Sequence, residues 1–336
     1  MRNVVVTGAS AGVGRAVAMA FAHRGDNLAL IARDPSPLEA TRADVQREGA
    51  GQVLALPADV AESEAVFAAA DATVAAFGGI DVWVNDAMAT IFAPVATITP
   101  EEFRRATEVT YLGTVHGTLA ALRHMRPRDR GSIVQVGSAL SYRAIPLQAP
   151  YCGAKFAIRG FTDSLRCELA HDRSRIRLSM VQLPAVNTPQ FDWARNRMPR
   201  RPRPMGQVHQ PEAVAHAILR AADAGPRELW VGWPSLQSIL GTLAVPGLLD
   251  RVLGRAAWDG QMTADGVAGE QPGNLFVPGP APHRMHGRFD ALARSEVPVF
   301  NPTVLRLAAL TGAAMLPFLW PRRHTRRLTQ VKVNRA

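Results

Sequence analysis

The chain has 336 residues, of which 47% are hydrophobic, and carries a formal net charge of +10. A chain of this length can bury one large core and an appendage. The excess charge comes from two short segments, residues 190–205 and 321–336, and basic and acidic residues balance elsewhere. We therefore expect no general nucleic-acid-binding surface. The nine histidines show no metal-ligand spacing, so we expect no metal site.

The start of the chain and its two cysteines bear on location. The chain begins with a predicted strand and not with a charged and then apolar leader, which argues against export. Cys152 and Cys167 fall on one predicted helix, about 22 Å apart at about 1.5 Å per residue, which is too far for a disulfide. We expect reduced core thiols in a cytoplasmic protein.

Strands and helices alternate through residues 1–233. Short β-branched runs predict strands, and the alanine-rich stretches between them predict helices. The predicted strands are 3–8, 27–33, 52–56, 80–85, 132–137, 176–183 and 228–232, and the predicted helices are 15–23, 37–48, 62–77, 100–125, 149–170 and 211–222. This alternation predicts an α/β fold with a doubly wound parallel sheet of about seven strands.

A glycine-rich turn follows the first predicted strand. Gly8, Gly12 and Gly14 lie between that strand and a predicted helix. In this context the backbone N–H groups and the helix N-terminus can bind a pyrophosphate. The spacing differs by one residue from the common dinucleotide fingerprint, and turns need glycine in any case. Alone, the turn is weak evidence for a nucleotide site.

Tyr151 and Lys155 lie four residues apart, although the chain has only three tyrosines and two lysines. On a helix both side chains project from one face, so the ammonium can lower the tyrosine pKa from about 10. This predicts a general acid and base. The alternative is a tyrosine stacked over a lysine on a helix surface. Ser138, at the carboxyl end of the fifth strand, could donate a hydrogen bond to a substrate carbonyl.

Together these motifs resemble the short-chain dehydrogenase/reductase family over about residues 1–232. The resemblance implies a Rossmann-like fold, with Tyr151 as acid and base, Ser138 orienting the carbonyl, and Lys155 also holding the nicotinamide ribose. It also implies that Asp59 contacts adenine and that Thr188 lies at the nicotinamide end. The predicted cofactor-binding residues are Gly8, Ser10, Gly12, Val13, Gly14, Arg33, Asp59, Val60, Asn85, Tyr151, Lys155, Pro184 and Thr188.

The sequence departs from the family pattern in two places. Asp86 and Met88 stand where most members have asparagine and glycine, which adds a charge near the cofactor and a side chain at a close approach. Thr110 replaces the asparagine of the family's proton relay. We expect a modified relay in which the Thr110 hydroxyl holds a water.

The end of the second strand bears on the choice of cofactor. It carries no acidic residue that would accept a hydrogen bond from a ribose 2′-hydroxyl. Ala32 leaves room there, Arg33 offers a guanidinium suited to a phosphate, and Ser10 can add a hydrogen bond. We therefore expect NADP(H) in preference to NAD(H). The alternative is that Arg33 is a solvated loop residue.

The segment after Thr188 is expected to border the substrate. Phe191 and Trp193 are candidate walls of the substrate pocket, which gives a mild preference for a lipophilic carbonyl or alcohol. Residues 195–203, rich in arginine and proline, follow as an exposed lid. That lid either attracts an anionic cofactor or substrate, or is a solvated loop.

Residues 234–296 form a predicted accessory extension, with a helix at 235–245 and irregular chain at 259–288. Residues 297–336 form an apolar and then arginine-rich tail. Proline and length argue against a membrane span. The tail lies either at a membrane surface or against the domain or a partner subunit. We expect a homo-oligomer.

The sequence therefore predicts an NADP(H)-dependent oxidoreductase that interconverts an alcohol and a carbonyl by hydride transfer at a Ser-Tyr-Lys site. Two alternatives belong to other classes. One is a nucleotide-binding regulator that keeps the site without using it, and Met88 and Thr110 favour it. The other is a membrane-surface scaffold that acts through the tail.

Overall fold

The computed structural model describes residues 1–267, 270–279 and 283–307. The chain divides into two compact units, Met1–Asn301 and Pro302–Ala336. In the second unit, the described residues 302–307 are helical. Most of the predicted tail, residues 308–336, lies outside the described residues. The predicted accessory extension, 234–296, falls within the first unit.

Strands and helices follow one another along most of the described chain. The strands are β1 (Asn3–Thr7), β2 (Asn27–Ala32), β3 (Val53–Pro57), β4 (Val82–Asn85), β5 (Ile91–Phe92), β6 (Ser132–Ser138), β7 (Arg177–Leu183), β8 (Ala185–Val186), β9 (Arg195–Asn196), β10 (Arg200–Pro202), β11 (Val208–His209), β12 (Glu228–Val231), β13 (Met262–Gly266), β14 (Ala293–Arg294) and β15 (Val299–Phe300). The helices are α1 (Gly12–Ala22), α2 (Pro35–Arg47), α3 (Ser63–Phe77), α4 (Pro100–Thr107), α5 (Gly113–Met125), α6 (Ala149–His171), α7 (Gln190–Trp193), α8 (Pro211–Ala224), α9 (Trp233–Ala244) and α10 (Pro246–Gly260).

The central sheet has the strand order β15-β12-β7-β6-β4-β1-β2-β3. All neighbours pair in parallel except β15, which runs antiparallel to β12. The α/β, Rossmann-like prediction is confirmed, and its seven predicted strands form this sheet within two residues of their predicted bounds. The eighth strand, β15, lies in the predicted tail and was not predicted, because two residues give no recognisable strand pattern.

The sheet is covered on both faces. Val4 and Val6 of β1 pack in a cluster with α1 and α8, whereas Val5 packs in a second cluster with α3 and α5. All three side chains are fully buried. Side chains alternate between the faces of a strand, so this burial on both sides is what a parallel sheet between helical layers requires.

The predicted helix at 100–125 is interrupted. A π-helical turn at Glu108–Leu112 separates α4 from α5 and contains the buried Thr110. Thr99 and Glu102 form a reciprocal capping box at the start of α4. Wide helical turns of this kind are common at functional sites because they shift the register of the following helix.

The extension is more ordered than predicted. Two helices, α9 and α10, follow β12, and β13 pairs with β10 inside the stretch predicted as irregular. Both cysteines lie on α6 as predicted, but Cys167 is exposed, so only Cys152 is a core thiol. Among the described residues, no helix has the length and apolar character needed to cross a membrane.

Candidate active site

A cavity of about 410 Å³ opens at the carboxyl ends of β1, β4 and β6. The strand order reverses between β1 and β4, which is where open α/β sheets bind ligands. The cavity is lined by most of the predicted site residues, namely Gly8, Ser10, Gly12, Val13, Arg33, Asp59, Val60, Ser138, Tyr151, Lys155, Pro184, Thr188, Phe191 and Trp193. Three predicted residues, Gly14, Asn85 and Thr110, lie behind its wall.

The turn after β1 needs glycine at specific positions. Gly8 and Gly12 have φ angles of +72° and +54°, in the left-handed region that other residues rarely adopt. A Cβ atom at Gly14 would overlap the carbonyl group of Gly8. Gly14 therefore allows α1 to start close against the turn, although it does not line the cavity itself.

The backbone N–H groups at the start of α1 have different partners. The Gly12 N–H donates to the Arg284 carbonyl over 3.1 Å, and the Gly14 N–H donates to the Asp86 carboxylate. Val13 lines the cavity, and its N–H has no hydrogen-bond partner in the described part of the chain. Val13 is therefore the N–H group at this helix N-terminus that is available to an anion.

Ser138, Tyr151 and Lys155 meet at the floor of the cavity. Ser138 ends β6, and the other two residues lie on the first turns of α6. The Ser138 hydroxyl accepts from the Leu140 N–H at 3.1 Å and is also the hydrogen-bond partner of the Tyr151 phenol. The Lys155 ammonium donates to the Val136 carbonyl at 2.6 Å and lies 5.5 Å from the centre of the Tyr151 ring.

The pKa of Tyr151 differs from the expectation. Burial raises it well above the ordinary value, Cys152 and Asp86 raise it further, and the hydrogen bond with Ser138 lowers it in part. Lys155 does not lower the pKa of Tyr151 as expected. Its ammonium is directed to a main-chain carbonyl, and its charge is balanced by Asp86. The phenol is therefore neutral in this structure.

Asp86 and Lys155 are electrostatically paired at the carboxyl end of β4. Burial lowers the pKa of Lys155, and the charge of Asp86 opposes that shift. Burial raises the pKa of Asp86, opposed by Lys155 and by the Gly14 N–H. The Thr7 hydroxyl fixes this loop by accepting from the N–H groups of Asp86 and Ala87 at 3.0 and 3.2 Å. The charge that departs from the family pattern thus interacts with Lys155, one of the candidate catalytic residues.

Thr110 supports the backbone beneath the cavity. Its hydroxyl donates to the Ala89 carbonyl over 3.1 Å and accepts from the Ala89 N–H over 3.0 Å. The side chain is fully buried, and its own carbonyl accepts from the Thr114 hydroxyl at 2.9 Å. Only one lone pair of the hydroxyl remains for a water. The structure therefore gives Thr110 a positioning role, and the water that it was expected to hold stays a prediction.

Asn85 does not reach the predicted nucleotide. Its amide oxygen accepts from the Trp83 indole at 2.8 Å, and its amide nitrogen donates to Thr118 and Gln135 at 3.1 and 2.8 Å. All these groups are buried. The Asn85 side chain points to the sheet face covered by α5 and is engaged in a buried network, and its contact with a cofactor stays a prediction.

Arg33 and Asp59 lie at one end of the cavity, but both already have protein partners. The Arg33 guanidinium donates to the carbonyls of Asn274 and Leu275 over 2.6 and 3.4 Å. Asp59 forms an ion pair with Arg105, which also donates to the Leu275 carbonyl over 3.2 Å. Arg33 is therefore not a solvated loop residue. Sequence reasoning missed Arg105 and Asn274 because neither lies in a motif, and Asn274 is 241 residues from Arg33.

Another part of the cavity wall is aromatic. Phe191 packs between Phe92 and Phe289, with ring centres 6.1 and 5.8 Å away. Trp193 packs against the ring of His283, with ring centres 4.8 Å apart. Phe191 and Trp193 both line the cavity, as expected. His283 also lines it and was not predicted.

The arginine-rich segment is largely paired within the protein. Arg195 and Arg197 each form ion pairs with Glu102 and Glu270. Glu102 is buried, so these contacts fix the segment to α4. Arg203 lines the cavity. Most of the segment is thus neither a solvated loop nor a free patch of positive charge.

A protein-family model described as short chain dehydrogenase matches residues 2–198. The chain belongs to the short-chain dehydrogenase family. The uncharacterized oxidoreductase YxnA of Bacillus subtilis is 31% identical over 261 residues, 77% of this chain and 73% of that protein. A 3beta-hydroxysteroid dehydrogenase of Eggerthella lenta is 35% identical over 224 residues, 64% of this chain and 84% of that protein.

A solved alcohol dehydrogenase of the archaeon Thermococcus sibiricus, complexed with 5-hydroxy-NADP, is 26% identical and superimposes with a TM-score of 0.57. The match covers 68% of this chain and 94% of that one. For another curated relative, the matched share of the relative falls to 50%. The family relationship therefore identifies this short-chain dehydrogenase as an oxidoreductase that uses NAD(H) or NADP(H). It does not identify the substrate.

The residues of the crevice suit a nicotinamide dinucleotide. Val13 offers an unpartnered N–H at a helix N-terminus for the pyrophosphate, and Lys155 is a buried cation with donors to spare for a ribose hydroxyl. In the described part of the chain, no three His, Cys, Asp or Glu side chains are grouped as a metal site would require.

Proposed function

We propose that the protein is an NADP(H)-dependent oxidoreductase that interconverts a lipophilic carbonyl compound and its alcohol at Ser138, Tyr151 and Lys155. The observation that carries the proposal is the meeting of these three side chains at the floor of the nucleotide crevice. The bound nicotinamide supplies or accepts the hydride. The protein's own residues hold the substrate oxygen and move its proton.

Tyr151 acts as the proton donor in the reductive direction. Burial keeps its phenol protonated, so the proton is available when negative charge develops on the substrate oxygen. The Ser138 hydroxyl, already beside the phenol, donates a hydrogen bond to the same oxygen. Lys155 would hold the ribose and, when its charge lies nearer the phenol than in this structure, favour the phenolate form that accepts the proton of the alcohol in the oxidative direction.

The preference for NADP(H) rests on charge at the adenosine end. Arg33 and Arg105 approach each other closely enough to repel, and Asp59 is the carboxylate that faces them. The Asp34 carboxylate is engaged at the start of α2, where it accepts from the Ser36 N–H. The Arg33 guanidinium is thus the group at this end that can donate charge-assisted hydrogen bonds to a ribose 2′-phosphate.

The substrate end favours an apolar molecule. Besides Phe191 and Trp193, the cavity is lined there by apolar side chains: Leu140, Ile145, Met205 and Leu253. An apolar pocket with a few converging polar groups is the common form of a small-molecule site. The relative named as a hydroxysteroid dehydrogenase is consistent with a lipophilic alcohol. The membrane contact, the homo-oligomer and the cytoplasmic location stay predictions.

The decisive experiment follows NADPH absorbance while the protein reduces a panel of ketones and aldehydes. Tyr151→Phe should lower kcat by at least about a thousandfold and leave NADPH affinity nearly unchanged, because only the proton donor is lost. Tyr111→Phe is the matched control, since that phenol packs against Phe161 and does not line the cavity. Nucleotide binding without turnover of any substrate would favour the non-catalytic regulator.

A further inference from the structure

The family match ends at residue 198. A segment that follows it contributes to the wall of the nucleotide crevice. We call the described residues 273–279 and 283–289 the strap. Four of its residues line the cavity, namely Asn274, Pro278, Gly279 and His283. The strap contacts the crevice at three places.

The first contact is at the adenosine end. The carbonyls of Asn274 and Leu275 accept hydrogen bonds from Arg33, and the Leu275 carbonyl also accepts from Arg105. The Leu275 side chain is fully buried and packs in the core cluster beneath α3 and α5. This end of the strap is therefore anchored by apolar burial as well as by hydrogen bonds.

The second contact is at the glycine-rich turn. The Arg284 carbonyl accepts the Gly12 N–H over 3.1 Å, and the His283 carbonyl accepts from the Arg15 guanidinium over 3.0 Å. The main chain of the strap thus accepts a hydrogen bond from one N–H group of the glycine turn itself. Val13, the next residue, still faces the cavity.

The third contact is with helix α7. The Asn274 N–H donates to the Trp193 carbonyl at 2.8 Å, and the His283 ring packs on the Trp193 ring. The Asp192 carboxylate pairs with Arg284 and Arg288 over 3.2 and 3.0 Å. These contacts tie the strap to the short helix α7 that borders the substrate.

We infer that the strap is the outer wall of the nucleotide site, so that a bound nicotinamide nucleotide lies beneath it and leaves only after the strap detaches. This inference rests on the proposed function, because it concerns the same site. The glycine turn, the end of β2 and α7 line the cavity, and the strap bonds to all three. A dinucleotide that extends along this cavity therefore cannot leave it without parting at least one of those contacts.

The first test measures the rate of NADPH release, by stopped-flow fluorescence after displacement with excess NADP⁺. Asp192→Asn removes the carboxylate that holds Arg284 and Arg288, and should speed release by about three- to tenfold, since half-exposed ion pairs are worth about 1 kcal/mol. Asp223→Asn is the matched control: Asp223 also bridges two arginines, Arg2 and Arg24, but far from the strap, and its variant should release at the wild-type rate.

Hydrogen exchange of the wild-type protein with and without NADPH provides a readout independent of turnover. Bound nucleotide should slow exchange in peptides covering both the glycine turn and residues 271–279. Slower exchange at the turn alone, with equal release rates in wild type and Asp192→Asn, would refute the strap while leaving the proposed function intact. Absence of any protection or binding would overturn both.

Discussion

The half-buried Asp86 and the buried Lys155 interact electrostatically, which connects the end of β4 to α6. The carboxylate also accepts from the Gly14 N–H, so the Asp86 side chain interacts with both the glycine turn and the charge of Lys155. A neutral amide at this position could keep the hydrogen bond but not the charge. Asp86 thereby couples the state of Lys155 to the nucleotide turn.

Asp86→Asn should shift the pH profile of kcat/KM. Asp86 raises the pKa of Lys155 against the lowering caused by burial, so without it Lys155 loses its proton at a lower pH. The loss of activity on the basic side should therefore move to lower pH. Asp71→Asn, a surface substitution on α3, is the control. An unchanged profile in Asp86→Asn would show that the pair does not govern turnover.

Arg33→Ala should weaken NADPH binding by about tenfold and NADH binding much less. The guanidinium is a charge-assisted partner for a 2′-phosphate, and such hydrogen bonds are worth about 1.5–3 kcal/mol. Titration calorimetry with both nucleotides measures the ratio. Equal losses for the two nucleotides would mean that Arg33 acts only by holding the carbonyls of Asn274 and Leu275.

Thr110→Val should lower the free energy of unfolding by about 1–3 kcal/mol, because the buried N–H and carbonyl of Ala89 lose their hydroxyl partner. Chemical denaturation gives that difference. Thr110→Ser keeps the hydroxyl and should recover most of the stability and the activity. If Thr110→Val folds as stably as the wild type but changes the pH dependence of the rate, the hydroxyl serves proton relay instead.

One thiol should react in the native protein and two after unfolding. Burial raises the pKa of Cys152 to about 11, so at pH 8 it is an unreactive thiol, whereas Cys167 is exposed on the same helix. A chromogenic disulfide reagent counts the reactive groups. In Cys167→Ser the native count should fall to zero, and fast labelling of that variant would contradict the burial of Cys152.

Local pattern was enough to predict the sheet and the position of most site residues. The β-branched runs and the spacing of Tyr151 and Lys155 depend on neighbours within a few residues, and those interactions survive in the fold. What failed depended on distant parts of the chain. The role of Asn85 came from the family resemblance and the lowered Tyr151 pKa from the spacing with Lys155. The network around Asn85 and the burial of the Tyr151 phenol involve residues from several elements. No local signal connects Arg33 with Leu275.

The short antiparallel strand β15 has a consequence for how this protein can be shortened. It hydrogen-bonds along β12, with Phe300 opposite Trp230, and the Phe300 ring lies 4.9 Å from that of Trp233. A version truncated after β12, near where the family resemblance ends, would leave the backbone of that edge strand unpaired and its aromatic neighbours exposed to solvent. Unpaired sheet edges can pair with other chains, so such a fragment should aggregate under conditions where the longer protein does not.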